Sequence, residues 1–518
     1  MFEYFKKQSI TNLPAFDFDK IKRYFENNDA SRVYQKLTEQ TCTDLDFDEF
    51  FLRVNGTSSC VGQQYLYDRL KRIPYQSEME GCGDTVQHLK SNPEFAARCR
   101  KHLSKLAHHD AYYICSLFHE QHPVPSPMMT QVIKILQFMP LLFTAVFIIN
   151  PKSVWFLLIV GFFIANMLFH YRNKQTQFVY LYSIPQFLKL VSVAKILSGE
   201  PLLRKTHSDV KDRLQSLQPL VRSLSRFKFD VKLENDMVAL LWGVKELVNI
   251  FFLTEPNVLN RSFRLMDAKR TDIETVFAFV GQIDMMLSVA HLQETLPFYC
   301  KPQWTDAGLQ MTDACHPLIE PCVPNTLDTE GKSVLLTGSN MSGKTTFIRT
   351  VALNMLSAQT LDMCFARSFS GRRMRIHSAI NLHDNLSENQ SFYMKEVRTV
   401  KEMLDVSQHH EHKLFVLDEI FKGTNTIERI AASKAVLSAL SGKGNTVFAS
   451  THDIELADLL SGEYELYHFC EQIQQNRLYF DYLLKRGKLK HRNAIRLLEL
   501  EGYPESVIAE ANAITGKL

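Results

Sequence analysis

The chain has 518 residues, 45% hydrophobic and 22% charged, which is room for two or three ordinary globular domains and excludes a disordered polymer. Lys and Arg together number 59 and Asp and Glu 56, a net charge of +3, so bulk charge gives no vote for nucleic acid, though a local patch or a dimeric channel could still supply the field. The 10 cysteines are scattered with no C-x-x-C pair, which argues against zinc or iron–sulfur ligation and for free thiols in a reducing compartment.

Met1–Ile10 is polar and charged and has no apolar run of a cleaved secretory signal. Residues 1–130 read as helical. Val61, Tyr65, Leu66, Arg69 and Leu70 fit a period of about 3.6, and Pro74, which has no amide proton, is expected to end that helix.

Residues 131–172 are different. Ile135–Ile149 is apolar apart from Gln137 and Thr144, Asn150 to Ser153 reads as a turn, and Val154–Phe169 is apolar apart from Asn166. With flanks from Val132 and to Tyr171, each arm reaches the roughly 20 residues that cross a bilayer. Trp155 and Tyr171 stand where interfacial aromatics stand. Neither arm shows the polar stripe of a surface helix, and Pro140 is compatible with a membrane helix. The pattern predicts two transmembrane helices as a hairpin with both ends on one side. The alternative is a buried helix pair in a soluble cytoplasmic protein. Lys134, Arg172 and Lys174 flank the outer ends while Lys152 is alone in the turn, a bias that puts the large parts on the cytoplasmic side of the membrane.

Residues 173–300 read as a helical continuation, with Met237–Leu253 as a core helix because Lys245 and Glu246 interrupt its apolar run. Pro297 and Pro302 mark a boundary before the last region, 301–518.

That region carries the chemistry. Ser333–Thr337 reads as a buried strand, and Gly338, Ser339, Asn340, Met341, Ser342, Gly343, Lys344 and Thr345 follow as G-x-x-x-x-G-K-[ST]. Glycines at both ends let the backbone wrap and aim its amides at phosphate oxygens. Lys344 would reach the β- and γ-phosphates of ATP and Thr345 would ligate Mg2+. A helix from Thr346 to Ser357 would add its N-terminal potential. Leu414–Glu419 is a second apolar strand ending in two acids. There Asp418 would hold the magnesium and Glu419 would orient or deprotonate the attacking water. Thr446–His452 is a third, with His452 placed to meet the γ-phosphate or the water. Strands like these imply a mixed sheet flanked by helices and an ATPase that works by positioning and charge stabilisation, without a protein nucleophile.

These residues resemble the MutS family of DNA mismatch repair ATPases. Thr337–Thr345 is similar to that family's T-G-P-N-M-x-G-K-[ST], with Ser339 in place of proline; Asp418–Asn425 is similar to D-E-[ILP]-x-x-G-T-[SN]; Ser450-Thr451-His452 with Glu455-Leu456 is similar to T-H-x-x-E-L. Ser391-Phe392-Tyr393-Met394 with Glu396 resembles S-T-F-M-x-E, whose serine acts across a dimer interface. The resemblance thus implies a homodimer with Ser391 reaching the partner's nucleotide in trans; the same serine could also cap the helix Tyr393–Val406. Asn493-Ala494-Ile495 and Gly502-Tyr503-Pro504 with Val507, Ile508 and Ala511 resemble the family's closing helical dimerisation element. Cys315-His316-Pro317 and Val323-Pro324-Asn325 match the entry to the ATPase domain, where Cys322 takes the place of an aromatic that stacks on adenine in some relatives. Upstream, Asp44–Arg72, with Thr57-Ser58-Ser59 and Gly62, resembles the start of the helical core. The resemblance therefore implies an α/β P-loop NTPase of ABC/MutS type preceded by an all-α MutS core domain that contains the hairpin. It implies DNA as a partner. The chain is expected to lack the mismatch-reading and connector domains. The alternative function is a membrane-anchored ABC-type ATPase acting on a protein assembly. His409, His410 and His412 with Glu411 invite a metal reading, but a solvated turn is the expectation, as a solvated face is for Arg372, Arg373 and Arg375.

Overall fold

The computed structural model describes residues 16–28, 33–122, 124, 126–201, 203, 209–225, 243, 247–339, 342–380, 392–474, 477–489, 495, 498–499 and 502–515. They fall into two compact units. One draws on Met1–Ala30, Gly56–Asp68 and Asp84–Ala290, the other on Ser31–Asn55, Arg69–Gly83 and His291–Leu518.

The described residues of the first unit are helical. It buries the carboxylate of Asp284, in helix Arg270–Thr295. Asp284 accepts the amides of Ser58 at 2.9 Å and Ser59 at 2.8 Å, and the Ser59 hydroxyl at 2.5 Å. Those amides lead into helix Cys60–Lys71, whose first-turn donors have no partner within the helix. Gly62 is required there, because a Cβ would fall 2.2 Å from Asp284 Oδ2.

The apolar stretch forms two antiparallel arms in this unit. The first helix is Pro127–Ile149, capped by the Ser126 hydroxyl on the amide of Met129. It passes through Pro140 unbroken, and the Thr144 hydroxyl donates to the Pro140 carbonyl at 2.7 Å. The second helix does not stop at Tyr171: it runs for 45 residues, Ser153–Leu197. Its distal half is packed by Phe143 against Trp155 and Phe162. Its proximal half buries Ile184, Phe187, Leu190, Val193, Ala194 and Leu197 in the core. The polar interruptions have a use. Asn166 Nδ2 donates to the carbonyls of Leu136 and Phe251, and Gln137 Nε2 to those of Phe252 and Leu253. Both helices are long and apolar enough to cross a membrane, and only 11% of each apolar window is buried. Helix Arg270–Thr295 is as long but 78% buried, so it is core. Most of the expected helix Met237–Leu253 lies outside the described residues. At its described end Leu247 and Val248 are exposed and Ile250 and Leu253 buried.

The second unit holds every described strand: β1 Gln35–Lys36, β2 Arg72–Ile73, β3 Gln303–Trp304, β4 Gln310–Ala314, β5 Asn325–Asp328, β6 Ser333–Thr337, β7 Ser368–Gly371, β8 Arg375–Ala379, β9 Lys413–Asp418, β10 Thr446–Thr451, β11 Tyr464–His468, β12 Glu471–Gln474, β13 Arg477–Phe480 and β14 Lys485–Arg486. The central sheet runs β14-β11-β6-β10-β9-β8, parallel except for β14, which is the mixed sheet expected. Helices such as Lys344–Leu361 and Thr426–Leu440 flank it. Strands β6, β9 and β10 are buried along nearly their whole length, as in a sheet covered on both faces. A second sheet runs β3-β7-β4-β5. The N-terminal region is not purely helical: helix Cys60–Lys71 hands over to β2, which pairs antiparallel with β1, so the helix ends before Pro74 is reached.

Candidate functional site

Strand register brings the three motifs together. Strand β10 lies between β6 and β9, with Thr451 beside Thr337 and Ser450 beside Asp418. The phosphate loop, the two acids and His452 therefore leave adjacent strands at one carboxyl edge, the place where open α/β sheets bind ligands.

The loop turns on glycines. Gly338 has φ 147° and a Cβ there would lie 2.6 Å from the Phe469 carbonyl; Gly343 has φ 105°. Lys344 is buried at the start of helix Lys344–Leu361. Its ammonium donates to the carbonyls of Gly338 at 2.7 Å and Ser339 at 2.9 Å and sits 3.8 Å from Glu419 Oε1. Burial lowers its pKa, opposed by the charges of Glu419 and Asp418. Ser342 donates its hydroxyl to the Ser339 carbonyl at 2.7 Å, and Ser339 donates its own to Glu471 at 3.1 Å. Thr345 donates to Asp418 Oδ2 at 2.7 Å, and Ser450 donates to Asp418 Oδ1. Thr346 lies in the first turn of the helix, its carbonyl accepting the Thr350 hydroxyl. The helix begins two residues earlier and ends four later than the sequence suggested. Asn340, Met341 and Ser391 lie outside the described residues.

Glu419 stands just past β9 at φ 51°, a left-handed conformation. That turn re-aims its carboxylate into a ring of cations: Lys422 at 3.2 Å, His452 at 3.5 Å and Lys344 at 3.8 Å. The His452 hydrogen bond first, and the lysine charges after it, hold the Glu419 carboxyl at about 2. The same bond raises His452 above its ordinary value. Thr345, Asp418 and Ser450 make a cluster of hard oxygen donors, the donor set that suits Mg2+.

Three supports were not legible beforehand. Glu396, buried on helix Phe392–Ser407, accepts the Phe421 amide at 2.5 Å and so fixes the turn that carries Glu419. Tyr393, on the same helix, packs edge-on to Phe421, and Gly423 is needed because a Cβ would meet Tyr393 at 2.9 Å. Arg429 grips Asp453 through two bonds of 2.9 and 2.8 Å, anchoring the residue after His452. The third is Tyr482. Its ring lies 3.3 Å from where a Cβ on Gly343 would be, and it stacks on Phe480. Asn325 pins this segment, donating to the Tyr482 carbonyl at 3.0 Å and accepting the Leu484 amide at 2.7 Å. No local motif marks Tyr482; only the fold brings it to the loop.

The remaining basic and histidine candidates are used inside the unit. Arg373 donates to the Pro74 carbonyl and lies over Tyr34 and Trp304, Arg375 pairs with Glu411 at 2.6 Å, and Arg372 donates to the Asp306 carbonyl. The His409–His412 turn wraps the Lys413 ammonium, which donates to the carbonyls of His409 and Glu411. No cluster of three or more His, Cys, Asp or Glu able to hold a metal occurs among the described residues.

A glycine-bounded loop between a parallel strand and a helix, with an acid pair ending a nearby parallel strand, is the arrangement of a P-loop ATPase-type domain. Comparison with known proteins narrows this. Residues 334–518 match the family model for MutS domain V. The chain is 34% identical to MutS protein homolog 4 of Mus musculus over 257 residues, 46% of this chain and 26% of that protein. It is equally similar to the Homo sapiens protein of that name, at 34% over 46% of this chain and 27% of that one. It is 30% identical to the DNA mismatch repair protein MutS of Leptospira interrogans over 45% of this chain and 29% of that one. The chain thus spans under a third of the length of these relatives. Residues 334–518 thus form a domain of the MutS domain V family.

Proposed function

We propose that the chain is a dimeric, magnesium-dependent ATPase of the MutS type, tethered to a membrane by residues 132–172, whose nucleotide state acts on DNA in mismatch repair or recombination. The observation that carries the ATPase reading is the convergence of Lys344, Thr345, Asp418, Glu419 and His452 at one sheet edge.

Loop amides and Lys344 bind the phosphates and neutralise charge gathering on the γ-phosphoryl oxygens. Thr345 and Asp418 would hold Mg2+, which supplies further charge neutralisation. Glu419 orients the water. A carboxyl held at about 2 is a weak proton acceptor at neutral pH, so orientation is favoured over deprotonation. His452, held against Glu419, presents a proton toward the phosphate. Tyr482 covers the adenine in the place that Cys322 cannot fill. Ser391 completes the site of a second copy.

Replacing Glu419 with Gln should leave ATP binding intact and cut turnover by a factor of about 100 to 10,000; full turnover by that variant would remove Glu419 from its role. Mixing Ser391→Ala with Lys344→Ala protein should restore part of the activity that each lacks alone if the serine works in trans.

Three features support the membrane reading: the length of the two arms, their exposure along most of their surface, and the use of Asn166, Gln137 and Thr144 on backbone carbonyls, as polar side chains must behave in lipid. Membrane attachment with so small a net charge also favours the second reading, an anchored ATPase that works on a protein assembly. DNA affinity that falls steeply with salt supports the first; no DNA binding at low salt supports the second.

A further inference from the structure

Cys315 and Cys322 stand at the two ends of a loop that folds back on itself. The His316 amide donates to the Cys322 sulfur at 3.1 Å, which sets that sulfur against the backbone next to Cys315. Inside the loop the amides of Leu318 and Ile319 return to His316, on Nδ1 and the carbonyl. Both thiols are partly exposed. Cys315 is held from behind by its amide on the Phe365 carbonyl and by Asn354 on its own carbonyl, so the neck of the loop is fixed.

We propose that Cys315 and Cys322 form an oxidisable dithiol, a modification site in which hydrogen peroxide or a related hydroperoxide closes the loop with a disulfide. The two sulfurs are not equivalent. Interaction with Cys315 first, and the His316 amide after it, bring the Cys322 thiol down to about 7; Cys315 is raised by that same interaction and by burial. Cys322 is therefore the attacking thiolate and Cys315 the resolving thiol. The Cys322 thiolate attacks one oxygen of hydrogen peroxide, the O–O bond breaks, hydroxide leaves, and a sulfenic acid forms. Hydroxide takes the Cys315 proton to give water. The Cys315 thiolate then attacks the Cys322 sulfur, the S–S bond forms, the S–O bond breaks, and the departing hydroxide takes a proton from solvent. The balance is two thiols oxidised and one peroxide reduced to two waters.

The other close thiol pair shows why this one is singled out. Cys300 and Cys364 also interact, but Cys364 is fully buried, where oxidant has no access.

The consequence for nucleotide rests on the base subsite proposed above. Cys322 is three residues before Asn325, which pins Tyr482 and Leu484. A closed loop restrains the segment that positions Tyr482, so oxidation should raise the KM for ATP several-fold and leave kcat nearly unchanged, with reversal by dithiothreitol.

The test uses the full chain exposed to hydrogen peroxide, then alkylated with N-ethylmaleimide, digested and analysed by mass spectrometry. The expected product is a 315–322 link about 2 Da lighter than the dithiol, with both cysteines unalkylated and the link lost in Cys322→Ser. Alkylation of both thiols after peroxide, or a link at Cys300–Cys364 alone, overturns the proposal. A 315–322 link that leaves the KM for ATP unchanged upholds the dithiol and sinks the assignment of Tyr482 to the base.

Discussion

Glu419 and His452 share one proton-linked contact, and their shifts set its pH window. The Glu419 carboxyl is depressed to about 2, so its contribution is present above its ordinary 4.5 and is lost as pH falls through about 2. His452 is raised, so its contribution is present below 6.5 and is lost as pH rises through the higher folded value. The pair is complete between those limits. Nuclear magnetic resonance titration of His452 should show an imidazolium that persists above 6.5 in the wild type and reverts toward 6.5 in Glu419→Gln. Asp284 behaves in the opposite sense. Burial raises its carboxyl from 3.8 to about 6, so its stabilising contribution is full below 3.8 and is lost as pH rises through about 6. The stability of the wild type relative to Asp284→Asn should therefore fall as pH rises across that window, by up to about 3 kcal/mol, measured by urea unfolding at a series of pH values. Tyr482→Ala should raise the KM for ATP about tenfold, the scale of one lost base–aromatic stack, with a far smaller change in kcat.

At the scale of elements, legibility followed sequence distance. Strands β6, β9 and β10 each carry their motif on the residues that form them, so both strand and site residues could be read from short windows. The cover of the sheet edge could not. Strand β8 is an edge strand, and exposed edges invite pairing with other chains. Gln35 closes part of it: its side chain accepts the Ile376 amide at 2.7 Å and donates to the Ile376 carbonyl at 2.6 Å, in place of a neighbouring strand. Asp44 accepts the Ser378 hydroxyl at 2.7 Å and the Ile380 amide at 3.0 Å. These partners are more than 330 residues apart, and no periodicity records such a contact. Gln35→Leu leaves a buried amide and carbonyl without a partner and should destabilise the second unit by about 2 kcal/mol or more, read as a lower denaturation midpoint. Helix Phe392–Ser407 teaches the same lesson. Its signature residues were legible, but Glu396 and Tyr393 as supports for the Glu419 turn needed the fold.

At the scale of the whole molecule, the hairpin makes the sharpest prediction. In the proposed role the full chain should stay with membranes through alkaline carbonate washing and need detergent for release; release by carbonate alone would make the arms an interface for protein. The arms were legible because each is a continuous apolar run. The absence of a break at Tyr171 was not, since the shift from apolar to mixed composition looks like a boundary while the backbone hydrogen bonding simply continues. That continuity has a mechanical meaning. A helix of 45 residues is about 67 Å long at about 1.5 Å per residue, and its proximal half is locked among buried side chains. It is a stiff rod clamped at one end. In the proposed membrane role, a bilayer thick or thin enough to change the tilt of the free end would either bend the rod or strain the clamp, so lipid chain length would become a variable that the protein interior could feel.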